Sequence, residues 1–366
     1  MTCPPRLALF AAALALAACQ KAPIKVGGAF GLSGRHYDLG VSGRNGATLA
    51  VEDLNAAGGI GGRRLELLVR DDQQEPEAAC RAVQGLVDQG VVAIIGHMTS
   101  SMTEATLPLA NQAHVLLVSP TTSASSFQGL DDWLVMLYPS TSTSVDMLAE
   151  RILRVDGVRR LAVIHDLSNR AFTQSWYDLV RQRMQAGGGE AASVPFTSGA
   201  ERSLGVVAER ALAAGPGGVL VVANALDSAA LCQQLRKRSA TVHLYGTDWG
   251  FTQDVVSQGG RAVEGATFTL KVNLAEQQPA FVRFRDAYQA RFSRAPDFAA
   301  LLAYEAVQLV AEGLRRDSTR DGLRRAILGL GTFHGLQEDF RIDRFGDVER
   351  RQFLMTVRDG RIVPLE

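Results

Sequence analysis

The side chains best placed for chemistry in this sequence are hydroxyl groups that follow an apolar run. Residues 91–95 are apolar, the run breaks at Gly96, and Ser100 and Ser101 precede a helical pattern that begins at about residue 102. This pattern predicts a buried parallel strand that leads into the N-terminus of a helix. Backbone N–H groups and the helix dipole favour an anion there, so a carboxylate site is one interpretation. A simple helix N-cap is the other.

Four further predicted strand ends carry polar residues. They are residues 119–123, which include Thr121, Thr122 and Ser123; residues 166–170, which end at Arg170; residues 224–227, which begin with Asn224; and residues 247–249, which include Asp248 and Trp249. If two lobes face each other through these ends, the groups converge on one cleft. Hydroxyl and N–H groups suit a carboxylate and an acidic group suits an ammonium, so zwitterion binding is the simplest chemistry. Turn formation is the alternative for any single cluster.

The elements that must position these groups form two series of alternating strands and helices. In the first series, strands at about 24–29, 64–71, 91–95 and 115–118 are separated by helical patterns. The second series has strands at 161–165, 192–196, 218–222 and 242–245, again with helices between them. Such alternation predicts right-handed βαβ units and parallel sheets, hence an α/β protein with two Rossmann-like lobes.

Composition limits the classes of partner. The 366-residue chain balances 38 basic against 38 acidic residues and shows no basic stripe, which argues against a nucleic-acid binder. The body is too long for one typical core and suggests two domains. Cys80 and Cys232 lie in separate helical patterns, so we expect buried free thiols rather than a disulfide. We expect a monomer.

The sequence gives little support to an enzyme. It lacks a Gly-x-Ser-x-Gly elbow, a phosphate-binding loop with Lys, a Cys-x-x-Cys pair and a His-Glu-x-x-His helix. The six histidines are scattered, so no local metal pair is predicted. His165 and Asp166 come nearest to an acid/base pair, but neighbouring strand residues point to opposite faces. We therefore expect no catalysis and no cofactor.

The first residues have the pattern of an export signal. Residues 1–18 contain a positive charge at Arg6 and an apolar segment at 7–15, which is too short to span a bilayer. Leu16-Ala17-Ala18 before Cys19 resembles the lipobox of bacterial lipoproteins. That resemblance implies cleavage before Cys19, a lipid on this cysteine and a protein tethered in the periplasm or cell envelope. A cysteine in an ordinary signal peptide is the alternative.

Several short motifs recur here in an order typical of one family. They are Asn45-Gly46-Ala47 with Glu52-Asp53-Leu54-Asn55, Gly58-Gly59-Ile60-Gly61-Gly62-Arg63, Asp71-Asp72, Ile95-Gly96-His97 with Ser100-Ser101, and Ser119-Pro120. Together they resemble a type I periplasmic substrate-binding protein of the branched-chain amino acid (Leu/Ile/Val-binding) receptors of ABC transporters. The resemblance runs along nearly the whole mature chain.

This resemblance implies a fold and a set of ligand contacts. Two α/β lobes, joined by three hinge crossovers, would hold the ligand between them; lobe 1 would comprise residues 24–139 and 269–332, and lobe 2 residues 140–268 and 333–366. The family position that matches Ser100 holds the ligand carboxylate through its hydroxyl. The segment Thr121-Thr122-Ser123 would add a backbone N–H and a side-chain hydroxyl. Asp248 would take the ligand ammonium.

Two departures from the family pattern concern the ligand's side chain. Leu39 stands near the position where an aromatic residue commonly covers the ligand, and the nearby Tyr37 is a candidate substitute. Arg170 or Ala171 stands where the second lobe often has Tyr. An arginine in the cleft would favour a second acidic group on the ligand, whereas a solvated surface arginine is the alternative.

The expected function is that of a lipid-anchored receptor which captures an amino acid, or a related small carboxylate, for the permease of an ABC importer. Hinge closure would trap the ligand without covalent chemistry. A sensory lipoprotein that signals to a partner could use the same clamp, and the neighbouring genes would distinguish the two. A hydrolase that uses Ser100 or His165 is a third alternative, which a turnover assay would detect.

Overall fold

The computed structural model describes residues 21–34, 37–201, 203–273 and 275–365. The expected signal segment and Cys19, with its expected lipid, lie outside these residues. Within the described ranges, no helix combines the length and the apolar character needed to cross a bilayer.

The first lobe is built on a five-stranded parallel sheet with the order β2-β1-β3-β4-β5. Its strands are β1 (Ile24–Phe30), β2 (Leu65–Asp71), β3 (Ala93–Ile95), β4 (Leu116–Ser119) and β5 (Leu134–Met136). Its helices are α1 (Tyr37–Ala56), α2 (Pro76–Asp88) and α3 (Ser100–Ala113), with α9 (Pro279–Phe292), α10 (Phe298–Arg316) and α11 (Arg320–Leu328) from later in the chain.

The second lobe is built on a seven-stranded sheet with the order β15-β14-β10-β9-β8-β6-β7. Its strands are β6 (Arg160–Asp166), β7 (Glu190–Phe196), β8 (Gly218–Val222), β9 (His243–Gly246), β10 (Thr267–Leu270), β14 (Phe353–Arg358) and β15 (Arg361–Pro364). Its helices are α4 (Thr141–Glu150), α5 (Arg170–Ala186), α6 (Leu204–Leu212), α7 (Ala225–Arg238) and α8 (Gln253–Gly259). The strands β14 and β15 are antiparallel, and the other neighbours pair in parallel.

The two lobes share one strand order. In each lobe, the second strand pairs with one side of the first strand, and the third, fourth and fifth strands follow in turn on its other side. This is the doubly wound order 2-1-3-4-5. In such sheets ligands bind beyond the carboxyl ends of the strands, where the order reverses. The prediction of an α/β protein with two lobes and parallel central sheets is confirmed.

The chain passes between the lobes three times, after β5, after β10 and before β14. A small antiparallel sheet, β11 (Thr332–His334), β12 (Asp339–Ile342) and β13 (Val348–Glu349), precedes the last crossover. Its hairpin contacts the first lobe, because the Met136 N–H donates to the Gly346 carbonyl at 3.0 Å. The expected lobe boundaries at residues 268 and 332 stay predictions. The strand β10, which belongs to the sheet of the second lobe, ends two residues after the boundary at 268.

Close helix packing holds the first lobe together. The helix α10 lies against α1, and a methyl group added at Gly46 would sit 2.0 Å from the Ala300 carbonyl oxygen. A glycine is therefore required where these backbones meet. The predicted free thiols are both present, and Cys232 is buried as expected. The burial of Cys80 was overestimated: it is only half-buried, and its thiol donates to the Ala105 carbonyl on the neighbouring helix α3 at 3.4 Å.

Candidate functional site: a cavity between the lobes

A small cavity lies between the carboxyl ends of the two parallel sheets. It is lined from both lobes by Leu39, Met98, Ser100, Thr121, Ser123, Tyr138, Asn169, Phe172, Asp248, Trp249 and Phe298. Its volume is about 20 Å³, which is room for about one water molecule. A larger ligand can therefore enter only if the lobes separate and close again around it.

The loop after β3 places Ser100 at this cavity. Gly96 adopts φ +130°, and a methyl group there would lie 2.1 Å from the Ala29 carbonyl oxygen, so only glycine fits. Two hydroxyls of the next strand end then fix the loop: Ser119 donates to the His97 carbonyl, and Thr121 donates to the Met98 carbonyl, both at 2.6 Å. These bonds hold the start of α3 against the end of β4.

The first-lobe wall offers hydroxyl donors beside a helix N-terminus. Ser100 is the first residue of α3, and Thr99 occupies the N-cap position without a side-chain cap bond. The Ser100 hydroxyl oxygen accepts from the backbone N–H groups of Ser123 and Ala124 at 3.3 and 3.4 Å. The Ser123 hydroxyl is buried and has no hydrogen-bond partner among the described residues. This wall suits an anion, because its donors are aimed at one place and the helix dipole adds to them.

The second-lobe residue Asp248 lines the cavity and forms a buried ion pair with Lys271, which is not part of the lining. The Lys271 ammonium lies 3.6 Å from the Asp248 carboxylate, and both side chains are almost fully buried. Burial lowers the pKa of Lys271 to about 8, although Asp248 acts in the opposite direction. Burial, with Asp248 nearby, raises the pKa of the Tyr138 hydroxyl well above its ordinary value.

The rest of the wall is apolar and rich in aromatic rings. Tyr138 stacks on Phe298 with centroids 5.7 Å apart, and Phe172 meets Trp249 edge to face at 5.8 Å. Each of these rings is at least nine-tenths buried. They give the cavity a dry lining that favours an apolar ligand body.

Five predicted residues meet at this cavity, and the structure places the others elsewhere. Ser100, Thr121, Ser123, Asp248 and Trp249 line it. The other five predicted residues do not line it. Ser101 lies beside the cavity and connects the lobes, and the Thr122 hydroxyl is 2.7 Å from the Thr103 hydroxyl behind it. Asn224 caps α7, and Arg170 and Tyr37 are exposed. Arg170 faces an outer groove of about 820 Å³ along α5, and Leu39, not Tyr37, lines the cavity.

Sequence reasoning missed Lys271 and most of the aromatic lining. Lys271 directly follows β10, a strand of four residues that was not predicted. Asp248 was selected as a polar residue at the carboxyl end of a predicted parallel strand. Lys271 meets the same condition, because β10 is the parallel neighbour of β9. Asn169 and Phe172 flank Arg170 at the start of α5. Helical spacing turns these two inward and Arg170 outward.

Among the residues that the structure describes, no group of three or more His, Cys, Asp or Glu side chains could hold a metal ion. His165 contacts the Ser193 hydroxyl through Nε2 at 2.8 Å and stacks on Tyr177. Burial lowers the pKa of His165. This environment gives the histidine a packing role outside the cavity.

Comparison with known proteins agrees with this geometry. A family model described as "periplasmic binding protein" matches residues 23–361. The leucine-, isoleucine-, valine-, threonine- and alanine-binding protein of Pseudomonas aeruginosa is 23% identical, over 90% of this chain and 88% of that protein. The Leu/Ile/Val-binding protein homolog 3 of Brucella melitensis is 24% identical, over 85% and 84%.

Solved structures show the same fold. A leucine-binding protein of Thermotoga maritima superposes with a TM-score of 0.85 at 21% identity, over 94% of this chain and 98% of that one. A solute-binding protein of an ABC transporter from R. palustris, in complex with benzoate, gives 0.84 at 17% identity, over 94% and 95%. The chain belongs to the type I periplasmic binding proteins, a family of solute-binding proteins whose members include the Leu/Ile/Val-binding receptors.

Proposed function

We propose that this protein is an exported solute receptor that captures an amino acid, or a related small carboxylate, between its lobes and delivers it to an ABC importer. The observation that carries the proposal is the unpartnered hydroxyl of Ser123 beside Ser100 and the N-terminus of α3, inside a cavity that both lobes line. Closing the lobes would remove water from these contacts and so strengthen them. No covalent step is required.

The relatives support this proposal and also widen the range of ligands. The Pseudomonas aeruginosa relative binds five aliphatic or small amino acids, and the R. palustris neighbour binds benzoate. A carboxylate is common to these ligands, and an amine is not. The first-lobe wall is thus the proposed carboxylate subsite, with Ser100 and Ser123 as its hydroxyl donors.

A thermal-shift panel of amino acids and small carboxylates tests the proposal on the purified protein. A ligand at 100 times its Kd stabilises the folded state by about 2.7 kcal/mol, which is a clear rise in Tm. No rise with any member of the panel would contradict the proposal.

We also propose that a lipid on Cys19 tethers the receptor to the membrane. Support comes from the sequence alone, in Leu16-Ala17-Ala18-Cys19. Cells that express the wild type or Cys19→Ser are labelled with palmitate and fractionated. The wild type should incorporate the label and stay with the membrane, and the variant should do neither. If the wild type takes up no label, or fractionates like the variant, the lipid anchor is overturned.

A further inference from the structure

Asp248 lines the cavity, and it already has a cation beside it that is not itself part of the lining. The Asp248 carboxylate lies 3.6 Å from Lys271 Nζ, and the exposed fractions of the two side chains are 2% and 0%. The other Asp248 oxygen accepts from the Trp249 N–H at 2.9 Å. This aspartate would be the natural partner of a ligand ammonium, and its Oδ2 has no hydrogen-bond partner among the described residues, but Lys271 already balances its charge at ion-pair distance.

The lysine is held in place by three groups. Its ammonium donates to the Pro139 carbonyl at 2.7 Å and lies 4.2 Å from the centre of the Tyr138 ring, in addition to facing Asp248. A carbonyl, a ring face and a carboxylate all attract a cation. Lys271 is therefore held beside the lining residues Asp248 and Tyr138, and moving it away from Asp248 would break these contacts.

A second ammonium in this place would be poorly accommodated. The pair of Lys271 and Asp248 has no net charge, and Asp248 is the only charged residue among those that line the cavity. A ligand ammonium would meet one cation and one anion at short range, so the attraction of Asp248 would be opposed by Lys271. The ligand ammonium would also lose its hydration on entering the cavity, where no carboxylate is free to pair with it. Burying a charge in this way costs free energy.

The remaining surfaces suit an acid with an apolar body. Ser100 and Ser123 offer hydroxyls to a carboxylate. The apolar lining residues Leu39, Met98, Phe172, Trp249 and Phe298 outnumber the remaining uncharged polar ones, Thr121, Tyr138 and Asn169. Asp248 is the single ionisable carboxyl group among the cavity-lining residues.

We propose that the ligand is an apolar monocarboxylate without an α-amino group, and that Lys271 is the specificity-determining residue that excludes amino acids. This inference rests on the proposed function, since it assumes that the cavity binds a small carboxylate. It narrows the ligand class and assigns to Asp248 the role of counter-ion for Lys271.

Isothermal titration with matched ligand pairs tests the inference. Leucine is compared with 4-methylpentanoate, and phenylalanine with 3-phenylpropanoate, on the purified chain dialysed free of co-purified ligand. The amine-free acid should bind at least tenfold more tightly than its amino acid. Equal or tighter binding of the amino acid would overturn the inference and leave the proposed function intact.

The two proposals can fail separately. If no member of either pair binds, the inference is overturned. The thermal-shift panel then decides on the proposed function, which stands if another small carboxylate stabilises the protein and falls if none does.

Variants at Lys271 test its role directly. Lys271→Met frees Asp248 for a ligand ammonium, so the preference should shift at least tenfold toward the amino acid. Because that variant strands a buried carboxylate and can fail to fold, Lys271→Gln, whose amide can still donate a hydrogen bond, is the second test. It removes the same charge and keeps Asp248, so it should shift the preference in the same direction.

Lys237→Met is the matched control. Lys237 is exposed on α7, and its loss should leave the preference unchanged. An unchanged preference in a folded Lys271→Met or Lys271→Gln protein would overturn the role of Lys271.

Discussion

At the scale of single residues, Ser100 combines a structural and a binding task. Its oxygen accepts two long hydrogen bonds, from the N–H groups of Ser123 and Ala124. Its own proton stays available for an acceptor in the cavity, since a hydroxyl donates once and accepts twice. The same side chain can therefore fix the loop after β4 and bind a carboxylate.

Ser100→Ala should weaken binding of the tightest carboxylate by about 1–3 kcal/mol, or roughly 5- to 150-fold in Kd, because one carboxylate lone pair loses its donor. Titration calorimetry measures the change. Ser257→Ala is the control: that hydroxyl, on exposed α8, donates to the backbone of its own turn and is remote from the cavity. An affinity equal to that of the wild type would remove Ser100 from the site.

A place at the cavity could be predicted from sequence where strand order decides it, and could not where a local turn or the helix phase decides it. Ser100, Ser123 and Asp248 follow β3, β4 and β9 within a few residues, so the topology brings them together. Asn224 follows β8 in the same way but caps α7 instead. Arg170 begins α5, and the packing of that helix on its lobe turns this residue to solvent. A list of polar strand ends contains no information about that rotation.

At the scale of elements, the N-termini of α3 and α5 meet across the cavity. The Ser101 N–H donates to the Asn169 side-chain oxygen at 3.2 Å, and the Ala171 N–H donates to the Ser101 hydroxyl at 3.1 Å. Nearby, the hydroxyls of Ser125 and Ser175 lie 2.8 Å apart. These contacts join the first lobe to the second, so they form only when the lobes are closed.

Ser101→Ala should weaken ligand binding without touching the ligand. Losing one hydrogen bond between the lobes destabilises the closed state by about 0.5–1.5 kcal/mol. This corresponds to a roughly 2- to 12-fold loss in affinity. The loss should appear as faster ligand release, since closure holds the ligand in. Stopped-flow fluorescence measures that rate. An unchanged rate would show that this contact does not help to hold the lobes closed, and the exposed Ser126→Ala serves as control.

The alternating strands and helices could be predicted because their apolar runs are local features of the chain. The strand β10 and its antiparallel neighbour β14 were harder to predict. Thr267 of β10 pairs with Thr356 of β14, and all three later helices of the first lobe lie between them in the chain. Such a partner depends on where the chain returns after a crossover, which no local feature of the sequence specifies.

At the scale of the whole molecule, a buried ion pair fixes the third crossover to the first lobe. Arg350 lies between β13 and β14, and its guanidinium is 2.5 Å from the Glu305 carboxylate on α10. Glu305 also accepts from the Leu336 N–H at 2.7 Å, and Arg350 lies 3.8 Å above the Phe340 ring. Both side chains are almost completely buried. The pair thus joins the hinge to the helix layer of the lobe that offers the carboxylate subsite.

Removing one partner of this ion pair should lower the free energy of unfolding more than neutralising both partners does. Arg350→Met leaves the Glu305 carboxylate buried and unpaired, so the free energy of unfolding should fall by about 3–5 kcal/mol. The double variant Glu305→Gln/Arg350→Met keeps an acceptor for the Leu336 N–H and strands no charge. It should therefore recover most of the loss. Urea unfolding, followed by circular dichroism, measures both. Equal stability of the single and double variants would mean that the crossover is held by packing and that the ion pair contributes little to the hinge.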